Sequence, residues 1–416
     1  MKLKPEKFTA LFFLSAIMIM FALSAYNYAF PPVNSLVIPA DVKIEWDKLY
    51  PFDDGHVKAK PPVEPSFVET LKQELDKASS KNLTGYYRLV EAARKYEDIL
   101  GWNIAVFNSY NPVVKLDDSY LTLFVPDGGG TEENSESVKG LADFCRQNKI
   151  EFSYINLPVK VCESEDAEIS GILDYTNRNA DKMLSILRES GIKCLDIRKS
   201  LHDAGMPHHK SFHVTDHHWL PKTGLWAASE MLKFLRDDFG WNVEPELLSP
   251  ERFNYVVYPE WFLGSHGKKF TLARTKPDDF TMIYPKFETL IRFTVPNAGI
   301  DSEGDFGITY DMSMVEPKDY YLQNPYAAYI YADRPLIRIE NRLVRNGKKI
   351  LVLHESMGNC VFPFIALGVE CSYSMDLRHF TGSLRKFIET ERPDAVIMMY
   401  YTESPGKRGS VMYDLR

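Results

Sequence analysis

The sequence predicts an α/β fold: a doubly wound, mostly parallel sheet with helices on both faces. Two observations predict it. Short apolar runs alternate with amphipathic stretches through most of the chain, and one late apolar run passes directly into a polar turn and a second helical pattern. Composition agrees. The 416 residues, 45% hydrophobic and 25% charged, are enough for one large domain with insertions and exclude a collagen-like, coiled-coil or disordered chain.

From the N-terminus, Lys2, Lys4 and Lys7 precede the uncharged stretch Phe8 to Ala25. Positive charge before an apolar run marks a signal peptide or a retained anchor with the rest of the chain exported. The run is short for a spanning helix, and large Leu23 makes Leu23-Ser24-Ala25 a mediocre cleavage site, so 1–30 is expected to be a signal anchor, or else a signal peptide. Residues 31–66, rich in proline, read as an extended spacer. Helical patterns follow at 68–79 and 86–99. Strands are expected at 103–107, 120–125, 150–157 and 193–197, with helices at 135–147, 173–190 and 224–235. The rhythm resumes with strand 349–353, helix 359–367, strand 371–375, helix 381–391 and strand 395–400. Between them 241–345 is rich in Tyr, Phe and Pro and lacks a helical pattern. It is expected to be a loop- and β-rich insertion beside the sheet's carboxyl edge, leaving 67–240 and 346–416 as the α/β domain.

A net charge of −8 and the lack of a long Lys/Arg run argue against nucleic acid as a partner. The five cysteines are odd in number and show no metal-ligand spacing, so at least one is free or pairs between chains, and small buried hydrophobes are their expected role.

Two segments carry candidate chemistry. In Thr215-Asp216-His217-His218-Trp219 an extended backbone would put Asp216 and His218 on one face. A carboxylate beside an imidazole fixes its tautomer and leaves Nε2 as a base. Six of the ten histidines fall between His202 and His218, so a metal site is the competing reading, but no second acidic or Cys cluster accompanies them. The second segment, Lys349 to Asn359, runs from an apolar strand through His354-Glu355-Ser356 toward a helix. That context presents a serine at the end of a parallel strand, although Ser356 would equally serve as a helix cap. Carboxyl ends of parallel strands converge on one edge, so Asp216, His218 and Ser356 could meet there as an acyl-transfer triad.

The Asp-His-His-Trp string, the late serine, and the phrases Met375-Asp376-Leu377-Arg378 and Arg392-Pro393-Asp394 resemble the DHHW family, which is grouped with SGNH-hydrolase-like proteins including periplasmic alginate O-acetyltransferases. The likeness spans roughly 100–240 and 335–403. It implies a circularly permuted SGNH-like sheet with Ser356 as nucleophile, His218 as general base and Asp216 as the acid that orients it. The chain departs from the family in two respects: relatives carry a Gly-Asp-Ser type turn where this sequence has His354-Glu355-Ser356, a larger residue in the first place, and its oxyanion donors are not placed by the motif. Met357 N–H is the natural oxyanion donor. A second is sought in Gly264-Ser265-His266-Gly267, with Gly267 named for it, or that stretch is a plain turn. Trp219, His217 and Lys268 are candidates for contact with a sugar polymer, against the plainer roles of packing and surface charge.

The resulting expectation is an exported, membrane-anchored O-acetyltransferase. It would move an acetyl group through an acetyl-serine to hydroxyls of a cell-surface or secreted polysaccharide. No cofactor or metal is needed. Acetyl-CoA does not accumulate outside the cytoplasm, and the resemblance implies a membrane-bound O-acyltransferase partner as acetyl donor. The alternatives are a carbohydrate acetylesterase with the same triad and a non-catalytic polysaccharide-binding or scaffold protein.

Overall fold

The computed structural model describes residues 113–415 apart from 117–118, 124, 126, 162–173 and 317, together with Glu91, Lys95 and the backbone of 104–105. The apolar N-terminal run, the spacer, the helix expected at 68–79, most of that at 86–99, and Cys162 lie outside these residues. Among the described residues no helix is long and apolar enough to cross a membrane.

Strands β1 (Ile104–Ala105), β2 (Val113–Lys115) and β3 (Leu121–Leu123) form a small antiparallel sheet. The main sheet has eight strands. Five run parallel, in the order β5 (Lys193–Asp196), β4 (Glu151–Leu157), β13 (Ala395–Tyr401), β11 (Lys349–His354) and β12 (Cys371–Met375). Beyond β12 the sheet continues antiparallel through β10 (Ile337–Asn341), β8 (Ile291–Val295) and β9 (Ile300–Gly304).

The central strands are apolar almost throughout because both faces are covered. Ile350, Val352, Ala395, Ile397 and Met399 join one core with α4 (Pro221–Phe239) and α6 (Phe362–Ile365). Leu351, Leu353, Val396 and Met398, their alternates, are equally buried. Helices α1 (Thr131–Gln147) and α2 (Thr176–Glu189) pack together, and Arg385 of α7 (Leu384–Glu391) lies 5.1 Å over the ring of Phe144 in α1. Pro221 opens α4 at its first turn, where a missing N–H costs nothing, and Gly240 closes it with φ 67°.

The short helix α3 (Ile197–Asp203), capped by the Asp196 carboxylate, follows β5 at once and was not expected. Residues 241–345 also differ from expectation. They do not stay beside the sheet: β8, β9 and β10 extend it, and β8 and β10 alternate in burial where one face meets the core. The segment also holds a hairpin of β6 (Phe253–Phe262) with β7 (Asp278–Pro285), enclosing the short helix α5 (Ser265–Phe270), and short 3-10 turns.

Candidate active site

Four parallel strands deliver polar residues past their carboxyl ends: Lys160 after β4, Glu355 and Ser356 after β11, Asp376 and Arg378 after β12, and Lys407 after β13. This is where an open α/β sheet offers a crevice. An open cavity of about 670 Å³ lies there, lined among others by His217, Glu355, Ser356, Arg378, Tyr401, Lys407 and Arg408.

Asp216 and His218 come together, though not by an extended backbone. Residues 214–218 form a tight loop closed by the bonds from His213 N–H to His218 O (3.1 Å) and from Leu220 N–H to Ser211 O (2.9 Å). Within it Asp216 Oδ1 accepts both the His218 N–H (3.1 Å) and the His218 ring Nδ1–H (2.5 Å). A short carboxylate bonding two residues ahead is the ordinary way an Asp folds a turn, and it does the pairing here. Asp216 Oδ2 accepts the Ser265 N–H at 2.5 Å. Because an ionised carboxylate only accepts, Nδ1 of His218 carries the proton and Nε2 is left to accept one. Ser356 Oγ lies 2.8 Å from that Nε2 and donates to it. Burial alone would raise the Asp216 carboxyl; His217 and His218 beside it outweigh that and hold it well below the usual carboxylate range.

Ser356 opens a short turn, Ser356–Gly358, directly after β11. The Glu355 carboxyl accepts Met357 N–H at 2.8 Å and lies 3.4 Å from Ser356 Oγ. Its other oxygen is buried without a partner, and burial pushes the group up to about 8, against the pull of Met357 N–H and Arg378. His354 does not crowd the serine. Its ring turns into the core, where Nε2 meets Ser374 Oγ (2.7 Å) and Nδ1 meets the Glu355 carbonyl (2.8 Å). Gly358 follows in the same turn. It is required by the His354 ring, since a Cβ at 358 would sit 2.5 Å from His354 Nδ1.

The remaining expected residues are mostly occupied elsewhere. Met357 N–H is spent on Glu355, and Gly267 N–H donates to Thr215 O at 2.7 Å, so neither faces an oxyanion. The Gly264–Gly267 stretch holds the acid: Ser265 bonds Asp216, and Gly264 packs so close that a Cβ would fall 2.2 Å from that of Asp216. Trp219 is fully buried and donates from Nε1 to Met357 O at 2.9 Å, which removes it as a sugar platform and makes it a wall of the Ser356–Gly358 turn. Lys268 Nζ is bound to Gln323 O (2.9 Å). His217 does line the cavity, with Nδ1 3.1 Å from Ser265 Oγ.

Sequence reasoning missed several contributors. Tyr326 stacks on His218 with ring centroids 3.9 Å apart, its hydroxyl near Met357 O (3.3 Å) and Cys360 Sγ (3.2 Å). Arg378 is fixed by Asp376 (from Nε, 3.0 Å) and by Asp333 (from Nη2, 2.8 Å). The C-terminal segment 407–412 forms one cavity wall against Gly128 and Gly130, a contact that the Gly128-Gly129-Gly130 run could have flagged. Among the described residues two groups lie close enough to hold an ion, Asp216-His217-His218 and Asp333-Asp376-His379. In the first the carboxylate is already bound by His218 and Ser265, and in the second Arg378 occupies both carboxylates. Cys145 and Cys360 are buried free thiols, as small hydrophobes would be, and burial pushes both up to about 12.

The architecture is that of an α/β protein whose parallel strands present a serine and an Asp-x-His loop at one edge. Its likeness to solved structures gives the fold a reference. Two structures of Bacillus cereus PatB1, one with a sulfonyl adduct, match with TM-scores of 0.61 and 0.59 at 16% and 17% identity; the matches cover 74% and 73% of this chain and 99% of each of theirs. A DHHW family protein from Eubacterium siraeum matches with a TM-score of 0.51 at 17% identity, covering 74% of this chain and 96% of that one. No family model and no curated protein matches the chain. The structural neighbours therefore include the family that the Thr215–Trp219 string resembles, and at these identities they speak for the fold.

Proposed function

We propose that this chain is an exported O-acetyltransferase acting on hydroxyls of a polysaccharide, with Ser356 as nucleophile, His218 as general base and Asp216 as its orienting acid. One observation carries the reading: the unbroken hydrogen-bonded chain from Asp216 through both ring nitrogens of His218 to Ser356 Oγ, opening on a cavity large enough for sugar rings.

As Ser356 Oγ bonds the acyl carbon, its proton passes to His218 Nε2. The bond to the leaving group breaks, and His218 returns the proton to it, leaving an acetyl-serine. A sugar hydroxyl then gives its proton to His218 and its oxygen to the acyl carbon, and Ser356 takes the proton back. Asp216 stabilises the transient imidazolium. The oxyanion falls to the Ser356 N–H, the first of its turn, where helical N–H groups lack intrahelical partners. We assign the N-terminal apolar run to a membrane anchor, the acetyl donor to a membrane-bound acyltransferase, and the order of Asp-x-His before serine to a circular permutation. A second reading, hydrolysis by the same triad, is favoured by the cavity's exposed rim, where the Arg408 side chain is 74% exposed and water has access.

The test is intact-mass spectrometry after incubation with p-nitrophenyl acetate. An acetyl adduct mapped to Ser356, absent from Ser356→Ala and His218→Ala, is expected. Added oligosaccharide should clear the adduct by becoming acetylated, whereas release of acetate alone would mean hydrolysis. No adduct and no released p-nitrophenol would refute the enzyme reading.

A further inference from the structure

We propose that Lys160 and Asp278 are a pair of opposite charges that grip the Asp216–His218 loop by its own peptide groups and set the geometry of the triad. The inference rests on the function proposed above only in assigning that loop a catalytic purpose.

Lys160 is 2% exposed, and its Nζ donates to three backbone carbonyls: Leu121 (2.6 Å), Val214 (3.2 Å) and Asp216 (2.5 Å). Three acceptors call for three N–H bonds, which only the ammonium form has. A buried ammonium is expensive to hold and is kept only where its hydrogen bonds are complete. The N–H groups of the same loop face Asp278, the first residue of β7. It accepts Val214 N–H (2.7 Å) on one oxygen, and Thr215 N–H (2.8 Å) and Thr215 Oγ–H (2.5 Å) on the other. The cation thus takes the carbonyls of residues 214 and 216, and the anion takes the N–H groups of 214 and 215. Each bond is charge-assisted, and the Val214–Thr215 peptide group is held at its C=O by Lys160 and at its N–H by Asp278.

The arrangement matters because the Asp216 carbonyl on Lys160 and the Asp216 carboxylate on His218 belong to one residue. With the carbonyl held, the carboxylate reaches Nδ1 in a single orientation, and Nε2 then points at Ser356. Lys160 enters from the end of β4 and Asp278 from the hairpin, so the loop is referenced to two elements of the scaffold at once. Both are positioning residues; neither touches the reacting atoms.

The experiment compares wild type, Lys160→Met, Lys160→Arg, Asp278→Asn and the double variant Lys160→Met/Asp278→Asn. It reads kcat and KM for p-nitrophenyl acetate, thermal unfolding, and the far-downfield proton resonance of the His218–Asp216 hydrogen bond. Each single substitution is expected to lower kcat by about 10²-fold, the scale of a roughly 1 Å misplacement, with KM little changed. The double variant should lose less than the product of the singles, because both act on one loop. The downfield resonance should move or broaden in these variants and persist in Ser356→Ala. Should Lys160→Met fail to fold, Lys160→Arg and the less buried Asp278→Asn carry the same comparison. A folded variant with wild-type kcat and an unmoved resonance would overturn the proposal. If wild type shows no esterolysis, the function proposed above fails, and the resonance alone still decides whether the pair positions the loop.

Discussion

At the scale of single residues, Glu355 is the group whose ionisation the fold alters with the most visible consequence. Its carboxyl is raised from an ordinary 4.5 to about 8 by burial. The folded chain therefore holds a proton there that the unfolded chain releases above about 4.5. The stability this lends is complete below that pH and is lost as pH rises toward 8. Glu355→Gln keeps an acceptor for Met357 N–H and removes the titration. The melting advantage of wild type over this variant is accordingly expected to shrink steadily between pH 5 and 8; a difference that stays flat would show that the group is ionised throughout. Asp216 works in the opposite sense, since its depressed carboxyl contributes above the ordinary carboxylate value and that contribution is lost on acidification. For activity, His218→Ala should cost on the order of 10²–10⁴-fold in kcat, the usual worth of a general base. That Asp216, His218 and Ser356 meet was legible because an Asp-x-His string and a serine after an apolar strand are patterns of the local sequence. Tyr326 and Asp278 were not. Each is one aromatic or acid among many in 241–345, and only the fold brings them to the site.

At the scale of elements, the short helix α5 shows how a turn serves the site indirectly. Its entry residue Gly264 lies flat against Asp216, and any side chain there collides with the acid's Cβ. Gly264→Ala is expected to destabilise by about 1–3 kcal/mol, the cost of overpacking, and to lower kcat with it. Thermal unfolding and steady-state rates check this, and a variant as stable and active as wild type would show that the loop yields. The parallel strands were readable as continuous apolar runs. The helix following Ser356 was anticipated over 359–367 but is regular only at Phe362–Ile365, since Pro363 and the tight Ser356–Gly358 turn leave little length for it. Strands β8–β10 went unrecognised as sheet members because antiparallel pairing is fixed by partners distant in sequence, such as Ile337 with Ser374.

At the scale of the whole molecule, residues 407–412 form one wall of the cavity. Met412 and Tyr413 are buried, the Tyr413 hydroxyl meets Ser404 Oγ at 3.0 Å, and the Tyr400 hydroxyl donates to Met412 O at 2.9 Å. Truncation after Glu403 is expected to lower the melting midpoint by several degrees, through loss of these buried side chains, and to weaken acceptor use more than acylation by p-nitrophenyl acetate. Comparing the two reactions on a folded truncated chain checks it; equal losses would place the segment's role in stability alone.

The same feature orders events during synthesis. His218 precedes Ser356 by 138 residues, and the cavity wall around Met412 is made later still. While the chain emerges, β4 waits with one edge unpaired until β13, about 240 residues on, fills the place beside it. No partly made chain can hold a finished cavity around Ser356, because that cavity waits for β13 to slot into the middle of the sheet and for residues 407–412 beyond it.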